Sequence, residues 1–210
     1  AINRCVIVHD DDLILSEKNI MGLIKCFEDD HTRIYSYEGR IYQDGKYDRD
    51  GIGRIENADK PTEVDMVLTR STCFDRLYAI EYCKLSDIMF YDVDLNLNGE
   101  DIVLSHIVSN SCGHKPLVIP IPDKNGYIEL PIDETDKISI RENFIERRNE
   151  LIERCSILLP APKYQKENKN KLTLFGFGNY PTGYYMDSFS VNSKYKRVLI
   201  KNDMNGTKYI

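Results

Sequence analysis

The stretch Cys5-Val6-Ile7-Val8-His9-Asp10-Asp11-Asp12 lies almost at the start of a chain of 210 residues. Its first half is a short run rich in β-branched side chains, which is typical of a central strand buried on both faces. Its second half is three adjacent carboxylates, which repel one another and favour the binding of a cation. Open α/β sheets bind ligands beyond the carboxyl ends of their strands. The stretch therefore predicts a Mg²⁺ or Mn²⁺ site at the DxD motif Asp10-x-Asp12, with an acidic surface turn as the alternative.

The composition is that of one globular domain, with 41% hydrophobic and 30% charged residues. The net charge of −6 disfavours a general electrostatic attraction to nucleic acid or to anionic membranes. No apolar stretch approaches the ~20 residues that cross a bilayer, and no signal peptide opens the chain. The six cysteines are scattered without a C-x-x-C pair, which indicates reduced thiols and argues against structural zinc.

Segments with strand and helix patterns alternate along the chain, which predicts an α/β fold with a mixed central β-sheet flanked by helices. We expect helices over about residues 16–28, 74–84, 98–111 and 141–155. We expect strands over residues 5–8, 33–37, 64–69, 117–120 and 197–200, a long loop over 43–61 and a turn at Asn125-Gly126. The first helix should bury Ile20, Leu23, Ile24 and Phe27, and the last should bury Phe144, Ile145, Leu151 and Ile152.

A second acidic cluster spans residues 92–101. Its first three carboxylate and amide positions resemble an EF-hand loop, but glycine falls at the eighth position and Val103 replaces the bidentate glutamate. We therefore reject a calcium site. Glu100 and Asp101 instead open the helix over 98–111, where carboxylates complement the positive end of the helix dipole. His106, in the middle of this helix, is interpreted as a packing residue.

Three segments, in this order, resemble the catalytic domain of exostosin-like glycosyltransferases, which have the glycosyltransferase A fold. The first is Val8-His9-Asp10-Asp11-Asp12, followed by a helix and a strand that leads to Arg40. The second is Met66-Val67-Leu68-Thr69 with Phe74 and Tyr78, and the third is Asn98-Gly99-Glu100-Asp101-Ile102 through to Lys115-Pro116. A weaker fourth match is Ile145-Glu146-Arg147. The resemblance covers about residues 4–160.

The resemblance implies a metal-dependent enzyme that transfers a sugar from a nucleotide donor, with UDP expected, to a glycan or glycoprotein acceptor. It implies retention of anomeric configuration. Its cofactor would be Mn²⁺ or Mg²⁺, bound by Asp12 and Asp10. The expected donor contacts are Asp10, Asp11, Arg147 and Arg40.

Asp101 would lie at the reacting centre, with Glu100 as a sugar or acceptor contact. The structural alternative is that both carboxylates complement the helix dipole, which is worth about 0.3–1 kcal/mol each. Replacing Asp101 with Asn is therefore expected to cost less than ~1 kcal/mol of stability but at least ~10²-fold in turnover.

The chain departs from the family pattern in two ways, one that concerns domain organisation and one that concerns cellular location. Family members carry nucleotide-binding strands before the DxD strand, so residues 1–162 are predicted to be a catalytic region that lacks its upstream part. Residues 163–210 are predicted to form an extension packed on the same domain. Cysteines of the family pattern are replaced by Gly99 and Glu150. Their loss favours a reducing, cytoplasmic location over the secretory lumen.

Two other functions remain open. One is a non-catalytic module, derived from such a domain, that binds sugar or metal without turnover. The other is nucleotidyl or phosphoryl transfer at a two-metal site, which requires Asp10 and Asp12 to lie within ~4 Å of a second pair, Asp92 and Asp94.

Overall fold

The computed structural model describes residues 4–85, 99–131 and 142–159. Four α-helices lie in these ranges, α1 (Glu17–Asp29), α2 (Arg76–Cys83), α3 (Glu100–Cys112) and α4 (Phe144–Leu158), with one short 3₁₀ helix at Lys124–Gly126. The first five strands are β1 (Cys5–His9), β2 (Leu13–Leu15), β3 (Tyr35–Ser36), β4 (Glu38–Arg40) and β5 (Arg54–Glu56). The remaining strands are β6 (Thr62–Glu63), β7 (Met66–Val67), β8 (Ser71–Asp75), β9 (Leu117–Val118) and β10 (Tyr127–Glu129).

The largest sheet of the described residues has the strand order β1-β8-β3-β9-β6. It is mixed, because β3 pairs with β9 in parallel while the other neighbours are antiparallel. The side chains of α1 pack with Tyr35 and Cys73 on one face, and α2, α3 and α4 pack with Phe74 and Val118 on the other. The predicted α/β fold with a mixed sheet flanked by helices is confirmed.

The position of β1 differs from the prediction of a central strand buried on both faces. Among the described residues β1 has one neighbour, β8, and all of its residues are partly exposed. A short apolar run does not distinguish an edge strand from a central one, because both need apolar side chains against the helices. The prediction that the run ends at Asp10 is confirmed, since β1 ends at His9.

A fully buried strand was missed at β8. Its sequence Ser-Thr-Cys-Phe-Asp has no continuous apolar run, and the strand expected over residues 64–69 shortens to the two residues of β7. The helix expected from residue 74 begins at Arg76, where the Asp75 carboxylate accepts a hydrogen bond from the amide of Leu77 at 2.9 Å. The loop expected over residues 43–61 includes β5, which pairs with β4.

Helix α1 buries a different face from the predicted one, because Asn19 takes the place expected of Ile20. The Asn19 amide donates to the carbonyl oxygens of Asp123 and Gly126, each at 3.0 Å, and so attaches α1 to the predicted turn. This polar anchor leaves Ile20 exposed, while Leu23 and Phe27 are buried as predicted and Ile24 is half-buried.

Helix α4 buries Leu151 and Ile152 as predicted, but Phe144 is half-buried and Ile145 is exposed. All six cysteines are free thiols, as predicted. None of the helices in the described ranges is long and apolar enough to cross a membrane. The predictions for Asp92, Asp94, the strand over 197–200 and the extension over 163–210 lie outside the described residues.

Candidate active site

The topology brings several charged groups to one edge of the main sheet. Strands β1 and β3 run in the same direction and the intervening β8 runs against them. The carboxyl ends of β1 and β3 therefore meet the start of β8 at that edge. Asp10 follows β1 and Arg70 precedes β8, and the amide of Asp10 donates to the carbonyl oxygen of Arg70 at 3.0 Å. Glu38 lies two residues beyond the end of β3.

The Arg70 guanidinium lies among three carboxylates of this edge. Its Nη1 is 2.8 Å from Glu129 Oε1 and 3.4 Å from Glu38 Oε1, and its Nη2 is 3.5 Å from Asp12 Oδ2. Burial raises the pKa of the Glu38 carboxyl, while Arg70 and the Tyr127 hydroxyl, which donates to Glu38 Oε1, oppose that rise. We call these residues, Asp12, Glu38, Arg70 and Glu129, the edge cluster.

The predicted metal residues differ in their surroundings. Asp12 Oδ1 is buried and has no hydrogen-bond partner in the described part of the chain, whereas Asp11 is exposed and Asp10 is partly exposed. A buried carboxylate oxygen without a donor is the kind of group that an ion satisfies. Within the described ranges no three His, Cys, Asp or Glu side chains are arranged to hold a metal. The unpartnered Oδ1 of Asp12 is compatible with a hard cation such as Mg²⁺, which binds oxygen ligands.

The start of α3 holds the predicted reacting carboxylate. Gly99, just before the helix, has a φ of 102°, and a Cβ there would lie 2.3 Å from Cδ2 of Leu151, so glycine is required for α3 to approach α4. Asp101 is 7% exposed. Its Oδ1 accepts from the amide of Ile102 at 2.8 Å, and its Oδ2 accepts from Nη2 of Arg148 at 2.8 Å.

Arg148 is a site residue that sequence reasoning missed. It is 3% exposed, and its guanidinium carbon lies 4.2 Å from the ring centroid of Tyr47 and 5.4 Å from that of Phe144. Burial raises the pKa of Asp101, and the charge of Arg148 opposes that rise. We call Asp101 and Arg148 the buried pair.

The predicted donor contact Arg147 lies beside Arg148 on α4 but is exposed. A sequence signal for the burial of Arg148 existed. Residue 148 lies three positions before Leu151, four before Ile152 and seven before Cys155, the spacing of one helix face, whereas residue 147 lies five before Ile152 and eight before Cys155.

Thr69 links helix α3, which carries Asp101, to the edge cluster. Its hydroxyl donates to Glu100 Oε1 at 3.2 Å, and the next residue in the chain is Arg70. Glu100 and Asp101 open α3 together, so the segment of Thr69 and Arg70 contacts both predicted acidic motifs. The structure thus places the DxD motif and the Glu100-Asp101 motif on either side of one short segment.

Two further predicted residues lie near this region. Arg40 is buried, donates from Nη1 to the carbonyl oxygen of Gly39 at 2.8 Å and lies 3.7 Å from Glu56, so its contacts tie it to β4 and β5. His106 donates from Nδ1 to the carbonyl oxygen of Ile102 at 2.9 Å and stacks on Tyr42, as expected of a packing residue.

The chain matches the family model of the glycosyl transferase family 64 domain over residues 3–173. This match covers most of the chain, and the chain therefore belongs to that family and is a glycosyltransferase. Such an enzyme uses a sugar donor and an acceptor. A search of curated proteins found no match.

Proposed function

We propose that the chain is an exostosin-like transferase of the glycosyltransferase A type that uses a UDP-sugar with Mn²⁺ or Mg²⁺. It would transfer the sugar to a glycan or glycoprotein acceptor with retention of anomeric configuration. The observation that carries the proposal is the segment of Thr69 and Arg70, which contacts Asp12 on one side and Glu100 on the other. The two motifs expected to bind and to activate the donor are therefore neighbours.

In this proposal the edge of the main sheet holds the donor. Asp12, together with Asp10, would be the protein's ligands to a cation that supplies positive charge to the donor diphosphate. Asp10 and Asp11 would contact ribose or sugar hydroxyls. Arg147 and Arg40 are also proposed to contact the donor. Arg147 is exposed on α4, so phosphate can reach its guanidinium.

Asp101 would stabilise positive charge that develops on the sugar, with Glu100 contacting sugar or acceptor. Both carboxylate oxygens of Asp101 already accept hydrogen bonds. That arrangement suits a fixed negative charge better than a general base, which must take up a proton. It supports the retaining reaction, in which the leaving phosphate helps to deprotonate the acceptor hydroxyl.

One observation favours the alternative of a non-catalytic module. Asp101 is buried and paired with Arg148, as a structural ion pair would be. In that alternative the edge cluster would bind sugar nucleotide or metal while the buried pair only holds α4 against α3. Turnover distinguishes the two functions.

The test is a panel of nucleotide sugars incubated with the protein, with Mn²⁺ or with chelator, followed for donor hydrolysis and for transfer to glycan acceptors. We expect metal-dependent turnover of one donor, with UDP as its nucleotide. Binding of UDP without turnover of any donor would favour the non-catalytic module. Turnover that chelation leaves unchanged would contradict the metal-dependent reaction.

A further inference from the structure

Arg70 is a cation placed among the groups expected to hold a metal. Its three acidic contacts come from separate parts of the fold, the segment after β1 (Asp12), strand β4 (Glu38) and strand β10 (Glu129). The Arg70 side chain is 22% exposed, so solutes reach it. Neither the acidic motifs nor the resemblance assigned a role to this residue.

The two ends of the Arg70 guanidinium are held unequally. Nη1 donates hydrogen bonds to Glu129 at 2.8 Å and to Glu38 at 3.4 Å, so this end is anchored twice. Nη2 faces Asp12 at 3.5 Å as an ion pair, which is the longest of the three contacts. The contact with Asp12 is therefore the easiest to give up, and Nη2 can change partner while Nη1 stays in place.

The formal charges show why Arg70 and a cation would compete. Three carboxylates and one guanidinium give the edge cluster a net charge of −2. A divalent cation is still attracted to the cluster. A cation bound to Asp12 would lie close to the positive charge of Arg70, whose Nη2 is 3.5 Å from Asp12 Oδ2, and the two charges would repel each other.

We propose that Arg70 neutralises Asp12 in the donor-free protein and passes its Nη2 to the donor diphosphate when Asp12 binds the metal. This inference rests on the proposed function, because it requires Asp12 to be a metal ligand. Guanidinium groups bind phosphate oxygens through directed, charge-assisted hydrogen bonds, so Nη2 has a suitable new partner. Arg70 is then a positioning residue that couples metal binding to donor binding.

The proposal predicts effects of opposite sign on two ligands. Arg70→Met removes the charge that competes for Asp12, so Mn²⁺ alone should bind about fivefold to tenfold more tightly. The same change removes a phosphate contact, so UDP in saturating Mn²⁺ should bind about tenfold more weakly. If Arg70 had only a structural role, its loss would distort the site and weaken the binding of both Mn²⁺ and UDP.

The experiment is calorimetric titration of the full chain with MnCl₂, and then with UDP in saturating Mn²⁺. Arg70→Lys keeps the charge, so its Mn²⁺ affinity should stay near wild type and its UDP affinity should partly recover. Arg33→Met is the matched control, since Arg33 also bridges two carboxylates, Asp30 and Glu63, but lies before β3 at the opposite edge. It should change neither constant.

Tighter binding of Mn²⁺ together with weaker binding of UDP in Arg70→Met supports the proposal. An unchanged Mn²⁺ affinity, or equal weakening of both ligands in a folded variant, overturns the role of Arg70. In that case the proposed function would still hold if wild type shows Mn²⁺-dependent UDP binding and Asp12→Asn does not. Absence of Mn²⁺-dependent UDP binding in both wild type and Arg70→Met overturns the proposed function and this inference together.

Discussion

Two arginines of this protein bind carboxylates in opposite ways. Arg70 contacts three carboxylates and keeps 22% of its side chain exposed, whereas the side chain of Arg148, which pairs with Asp101 and lies over the ring of Tyr47, is 4% exposed. A partly exposed ion can exchange partners because water screens it and replaces lost contacts. A buried ion cannot, since its charge would remain without compensation. The edge cluster is therefore suited to binding, and the buried pair to holding a fixed charge.

The largest expected effect is on stability, and it separates the two arginines directly. Arg148→Met should cost about 3–5 kcal/mol, because it leaves the buried Asp101 carboxylate without its partner. Arg70→Met should cost less, about 1–2 kcal/mol, since solvent screens its pairs with Asp12 and Glu129 and the buried Glu38 keeps its hydrogen bond from Tyr127. Chemical denaturation of the two variants beside wild type measures both values. An equal loss of unfolding free energy in both variants would contradict this distinction between a partly exposed and a buried arginine.

The second effect is on turnover. Asp101→Asn should lower the rate of donor hydrolysis or transfer by about 10²-fold or more, while UDP affinity changes little, because the carboxylate acts as charge develops on the sugar. The stability cost expected from the helix dipole alone, below ~1 kcal/mol, is too small now that Arg148 is its partner; about 3 kcal/mol or more is expected. Thermal melting must confirm that the variant is folded at the assay temperature. Turnover close to wild type in a folded, UDP-binding variant would remove Asp101 from the mechanism.

The sequence predicted the acidic motifs better than their partners. Asp10-x-Asp12 was found because clustered carboxylates are costly without a counter-charge, whereas Glu100-Asp101 was found through the family resemblance. Their counter-ions Arg70 and Arg148 are single arginines among many, and only the fold brings them within reach. Arg148 could have been found from its helical spacing with Leu151, Ile152 and Cys155, but adjacent Arg147 carried the family resemblance.

The missed strands have a physical cause as well. Strand β8 is buried between β1 and β3, yet it uses Ser71, Thr72 and Cys73, whose polarity hides them from a search for apolar runs. Burial of Thr72 is tolerated because its hydroxyl donates to the carbonyl oxygen of Leu68, four residues earlier in the chain, at 2.6 Å. A search for apolar runs does not detect a side chain that is buried in this way.

A third, smaller effect concerns pH and helix α3, which carries Asp101 and His106. Burial lowers the pKa of His106 below its ordinary value of 6.5, so the folded protein holds this ring neutral. The unfolded chain then binds an extra proton between the lowered pKa and about 6.5, and stability falls as the pH drops through that window. His106→Gln should lose less stability than wild type between pH 7.5 and 5.5 in urea titrations. Parallel pH profiles would contradict the lowered pKa.

The smallest effect tests the link between the two regions. Thr69→Val keeps the side chain's shape but removes the hydrogen bond to Glu100, which should cost about 1–2 kcal/mol of stability. If the link also aligns the two motifs, turnover should fall severalfold with UDP affinity unchanged. The two quantities are measured by denaturation and by the donor assay. An unchanged turnover would mean that the edge cluster and the buried pair are aligned without Thr69.

The central claim is that the carboxyl edge of β1 binds a nucleotide donor through a cation held by Asp12. Its most direct test is calorimetric titration of UDP into wild type and Asp12→Asn, each with Mn²⁺ and with chelator, with Asp29→Asn at the exposed end of α1 as control. We expect Mn²⁺ to strengthen UDP binding in wild type and in the control but not in Asp12→Asn. An equal response to Mn²⁺ in all three proteins would contradict it.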